Sequence, residues 1–146
     1  MNRVDVYQRT VESLRSNLMN KKIQKGYPCS CPTAVVIADA NNIKTVRNNN
    51  KSGCTWENDF PYWATLFYPD VAEEVVGQDF ETLATNQITS TGYTVEEIDA
   101  LDAAAESAED LGNSIMNFLR VLHKIHEIPS QSYTVQKTRK TISCLV

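Results

Sequence analysis

The feature that most constrains the fold is residues 95–127, a stretch that reads as one amphipathic helix with a marked start and stop. Thr94 and Glu97 have the spacing of a capping box, in which a hydroxyl and a carboxylate each take a backbone N–H at the helix start. Tyr93 and Ile98 sit where a hydrophobic staple closes over that start. Ile98, Leu101, Ala105, Ala108, Leu111, Ile115, Phe118, Leu122 and Ile125 recur at steps of three and four, which holds them on one face. Glu96, Glu97, Asp99 and Asp102 crowd the beginning, and Arg120, His123, Lys124 and His126 the end, as the helix dipole favours. Pro129 ends the run. A continuous helix here would be roughly 50 Å long. Its first half carries small residues, Ala103 to Ala105 and Ala108, which permit close approach of a second helix or a neighbouring subunit. Its second half is bulky and should carry the core. Gly112, between them, is where the rod is expected to bend.

Residues 3–23 supply a partner for that rod. Val4, Tyr7, Val11, Leu14 and Leu18 form a stripe, Asn2 can cap the start, and Asp5 lies in the first turn. Lys21, Lys22 and Lys25 load the end, and Gly26 and Pro28 stop the helix. Residues 34–38, Ala-Val-Val-Ile-Ala, are short and rich in β-branched side chains and read as a strand. Asp39 to Asn42 then make a turn, and Ile43 to Arg47 return as the second strand of a hairpin. Residues 48–53 read as a polar loop. Pro61 and Pro69 suit the openings of short helices over 61–67 and 70–76, and Asp79 to Ala84 add another helical turn. In the tail, Tyr133 and Val135 share one face of a strand, and Ile142, Cys144 and Val146 one face of another. The pattern sums to a single α+β domain over 1–146: a helical core, with the long helix packed on the N-terminal one, plus a small antiparallel hairpin or sheet.

The chain has 146 residues, 42% hydrophobic and 22% charged, which is a globular composition able to bury a core without a metal or disulfide. No apolar run approaches a membrane span, and Met1 to Asp5 lack the apolar core of a secretory leader. The net charge of −4 conceals segregation: +6 over residues 1–51, −14 over 52–117 and +4 over 118–146. Such segments either neutralise one another inside the fold or leave a two-faced surface that orients the protein against copies or partners. The best footprints for nucleic acid are Lys21, Lys22 and Lys25, or Lys137, Arg139 and Lys140, and neither set has interleaved aromatics.

Motifs for chemistry are sparse. Cys29 and Cys31 are separated by one residue, and Cys54 and Cys144 stand alone, a departure from structural zinc spacing. His123 and His126 share a helical face without a recognisable ligand motif, and the dipole accounts for their position. Glu57 and Asp59 beside Trp56 are two carboxylates without a visible partner. There is no glycine-rich phosphate loop and no Gly-x-Ser-x-Gly elbow. The reading therefore assigns no catalytic residue, no metal ligand and no cofactor. It expects a non-enzymatic structural or adaptor subunit of a larger protein assembly, self-association included, with no membrane contact. A helical core with hairpin arms parallels the head–tail connector subunits of phage virions, an analogy of shape without shared signature residues. The location would be the virion in that case and the cytoplasm otherwise. Trp56, Phe60, Tyr62, Trp63, Phe67 and Tyr68, packed into thirteen residues, are the candidate interface anchors, with Ala104 and Ala108 as candidate helix contacts. The alternatives are a small metal-binding or enzymatic domain using the cysteines or the Trp56 region, and a nucleic-acid-binding regulatory protein.

Overall fold

Helix α1 spans Arg3–Met19 in a computed structural model that describes residues 2–23, 31–43, 45–47, 54–56, 62–63, 66, 79–129, 132–137 and 140–145. For 45–47, 54–56, 80, 132–137 and 140–145 it describes the backbone path alone. The Asn2 side chain caps α1 by accepting the Asp5 N–H at 2.9 Å. The buried face is rotated from the expected stripe: Val6, Thr10, Ser13, Leu14 and Asn17 point inward, and Val4 is 62% exposed. Polar residues can occupy that face because each finds a partner. Ser13 Oγ and Asn17 Nδ2 both donate to the Asp39 carboxylate, the latter at 3.0 Å.

Helix α2, Pro32–Ala40, replaces the strand expected over 34–38. Thr33 to Ala38 are buried all round, as in a helix at the centre of a core, and strand propensity gives way to that burial. The start is also built for a helix: Cys31 Sγ accepts the Ala34 N–H at 3.4 Å and Pro32 sits in the first turn. The hairpin of 34–38 with 43–47 therefore does not exist.

Helix α3, Phe80–Thr89, is capped by Asp79 and extends well past the single turn expected there. The long rod is broken in two. Helix α4 covers Val95–Glu106 and helix α5 covers Leu111–His126, joined by a turn over 107–110. The capping box forms as read, with the Glu97 N–H on Thr94 Oγ1 at 3.1 Å and the Thr94 N–H on Glu97 Oε1 at 3.0 Å. Asp110 starts α5 afresh by accepting the Asn113 N–H at 2.9 Å. The two helices run antiparallel. Ser114 Oγ donates to the Ala105 carbonyl at 2.8 Å near the turn, and Tyr93 meets His126 at the open end. A straight rod would leave much of its apolar stripe uncovered, whereas folding back sets Ile98, Leu101 and Ala105 in one core with Ile115, Phe118 and Leu122. The stripe keeps its phase through the turn, so periodicity alone does not reveal the break. The small-residue half does meet a second helix, but one from the same chain. Glu127, with φ 55°, and Pro129 end α5.

One hydrophobic cluster joins α1, α2, Trp63, Ile88, α4 and α5. Among residues with described side chains, 73% lie in five helices and none in a strand. The α+β expectation is thus corrected to a helical core. Among the described residues, strand pairing is confined to two separate antiparallel ribbons, β1 (Thr45–Arg47) with β2 (Cys54–Trp56) and β3 (Ser132–Lys137) with β4 (Lys140–Leu145). The tail ribbon is not added to the first one. The polar loop 48–53 and the helix expected over 70–76 lie outside the described residues, as does most of 61–67.

Candidate functional site

The hairpin and α1 converge on a cluster of tyrosines and histidines. Gly92 makes the approach close enough: its φ is +89°, and a Cβ there would lie 2.6 Å from Val6 Cγ2. Folding back brings Tyr93, just before α4, against His126 at the end of α5, with the Tyr93 hydroxyl oxygen 2.8 Å from Nε2. The same hydroxyl is 2.7 Å from Thr10 Oγ1, which in turn lies 2.7 Å from the Val6 carbonyl. Tyr7 reaches His123 Nε2 at 3.4 Å, and His123 Nδ1 lies 3.3 Å from the Pro129 carbonyl. A carbonyl can only accept, so Nδ1 of His123 is the donor to Pro129. Tyr7 stands edge-on to both imidazoles, at centroid distances of 5.9 Å from His123 and 5.4 Å from His126. Tyr93 does the same to His126 at 5.5 Å.

Two arginines of α1 rim the cluster. Arg3 pairs with Glu97 at 3.1 Å, donates to the Gly92 carbonyl at 3.2 Å, and lies 5.7 Å from the Tyr93 ring centre. Arg9 donates to the carbonyls of Ser90 and Thr91. Burial is the main cause that pushes the Tyr93 hydroxyl up to about 12 from its ordinary 10. His126 is held below its ordinary value, first by burial and then by the charge of Arg3. Tyr93 is thus a neutral hydroxyl near pH 7, able to donate or accept.

The residues singled out from sequence are scattered. Trp63 is fully buried and its backbone N–H donates to Gln87 Oε1 at 2.9 Å, so it presents no side-chain surface to a partner. Tyr62, Ala104 and Ala108 are half-buried. Trp56 pairs with Thr45 through the backbone. Phe60, Phe67, Tyr68, Glu57, Asp59, Cys29, Lys25 and Arg139 lie outside the described residues. Cys31 is a buried helix cap, and Cys54 and Cys144 belong to β2 and β4. Among the described residues no group of three or more His, Cys, Asp and Glu could hold a metal ion. Lys21 and Lys22 are exposed, and Lys137 and Lys140 are register partners at the end of the tail ribbon. Sequence reasoning missed Tyr7 and Tyr93 as partners of the histidines, and Thr10 as a partner of Tyr93. The same-face spacing of His123 and His126 was the only signal, because every other link joins residues far apart in the chain.

The outer face of α4 is exposed. Glu96, Asp99, Ala100, Ala103 and Glu106 point outward, opposite the buried Ile98, Leu101 and Ala105. No helix among the described residues is long and apolar enough to cross a membrane. Comparison with family models, with curated proteins and with solved structures finds no match to this chain.

Proposed function

We propose that the protein is a non-enzymatic structural or adaptor subunit that works by contact within a larger assembly. The observation that carries this reading is the outward stripe of α4, where Glu96, Asp99 and Glu106 are spaced along one line with alanines between them. Alanine keeps the surface flat, and the aligned carboxylates favour a basic protein face, whether a partner's or the basic first third of another copy. Arg3 of α1 pairs with Glu97 of α4 at the surface, so part of the charge segregation is neutralised within the chain, while the stripe lies on the opposite side of α4 from the core. The phage-connector version of the proposal loses the hairpin of residues 34–47 and keeps only its helical core as support.

Native mass spectrometry of the full chain over a concentration series, alone and as purified from its source cells, tests the proposal. The expected result is a defined oligomer or a stoichiometric protein complex. Reversing the stripe with E96K, D99K and E106K together should cut its population at least tenfold at low salt. A chain that stays monomeric throughout and carries no stoichiometric protein partner contradicts it.

A further inference from the structure

The tyrosine–histidine cluster does not enter the contact function above, and it has an arrangement of its own to explain. The Val6 carbonyl can only accept, so with all three contacts made Thr10 donates to it, Tyr93 donates to Thr10 and His126 donates from Nε2 to Tyr93. A neutral His126 does this as the Nε2–H tautomer. Uptake of a second proton, at Nδ1, breaks none of these bonds. What changes is charge: an imidazolium is placed on partly buried ground among fixed neighbours.

Those neighbours favour the neutral ring. From α1 come Arg3 and Tyr7, with Arg9 beyond Tyr93; from the turn before α4 comes Tyr93; from α5 comes His123 one turn away. Lys124 and Glu127 flank His126 on its own segment, and β3, whose backbone runs beside α5, carries Tyr133 and Lys137 in its sequence. Glu97 is the facing carboxylate, and its two oxygens are already taken by Arg3 and by the Thr94 N–H.

We propose that Tyr7, Thr10, Tyr93, His123 and His126 form an acid-sensitive latch: with His126 neutral it seats α1 on the open end of the α4–α5 hairpin, and protonation of His126 beside Arg3 loosens that seat. The latch stands independently of the assembly reading. The lowered proton affinity of His126 fits it and sets the sign. The unfolded or opened chain, with an ordinary histidine value of 6.5, takes up the proton first. The stabilisation is complete above pH 6.5 and is lost as the pH falls from there through the lowered folded value.

Two measurements on the full chain test it: imidazole NMR titration, and hydrogen exchange of α1 amides between pH 7.5 and 5.5, corrected for intrinsic rates. His126 should titrate below 6.5, and R3Q should move its midpoint upward. The opening equilibrium of α1 should rise as the pH falls, by about tenfold per pH unit at most for one proton. His126→Gln, whose amide can still bond Tyr93 without taking charge, should flatten that rise. A His126 midpoint at or above 6.5, a midpoint unmoved by R3Q, or a wild-type slope retained in His126→Gln would overturn the latch. If His126→Gln does not fold, the wild-type midpoint and its response to R3Q decide.

Discussion

The two ends of the α4–α5 hairpin are closed by different chemistry. At the turn, Ser114 Oγ reaches the Ala105 carbonyl, Asn117 Nδ2 reaches Ser107 Oγ at 3.2 Å, and Asp110 caps the next helix. Apart from that cap, the contacts that close this end are made by hydroxyl, amide and backbone groups, joined over at most ten residues of chain. At the open end, Tyr93, His126, His123 and Tyr7 meet under Arg3 and Glu97, with partners up to 116 residues apart. One end is a local structure with little to titrate near neutrality. The other is a tertiary structure that depends on α1 being in place and on the protonation of a histidine. The same hairpin is therefore pinned firmly at one end and conditionally at the other.

The contrast can be broken most severely at Gly92. Gly92→Ala combines a positive φ with a Cβ driven into Val6, so about 2–4 kcal/mol of stability should be lost in a urea melt, with α1 amides the most deprotected. Tyr93→Phe removes the hydroxyl shared by Thr10 and His126 and should cost about 1–3 kcal/mol. It should also abolish an alkaline loss of stability. Because Tyr93 is raised to about 12, its contribution is intact below pH 10 and disappears as the pH climbs from 10 towards 12, which tyrosinate absorbance can follow alongside unfolding. At the other end, Asp110→Ala should cost about 1 kcal/mol, with no change in pH dependence between 5.5 and 7.5 beyond that of the wild type. The smallest effect belongs to the exposed Arg3–Glu97 pair: Glu97→Gln keeps the cap and should lose at most about 1 kcal/mol, shrinking further in salt.

Legibility followed the same division. The α1 start, the Thr94–Glu97 box and the end of α5 at Pro129 were readable because each is set within a few residues. The break at 107–110 was present in the sequence as Asp110, a good cap, but an unbroken apolar stripe outweighed it. Helix α2 was misread because β-branched residues in a short run resemble a strand until tertiary burial decides. The buried polar face of α1 could not be anticipated, since Ser13 and Asn17 are tolerated there only through Asp39, and Thr10 through Tyr93. The tyrosine–histidine cluster was least readable: nothing local marks Tyr7 or Tyr93 as anything but members of an apolar face.

Everything at the open end depends on the chain folding back after Glu106. Pulsed electron-spin measurement between orthogonal labels at Glu96 and Lys124, both exposed, tests this directly. Packed antiparallel helices lie 8–10 Å apart, so the hairpin predicts a label separation under about 25 Å. A continuous helix would hold the two sites about 42 Å apart, and a dominant distance near that value would contradict the hairpin and the cluster built on it.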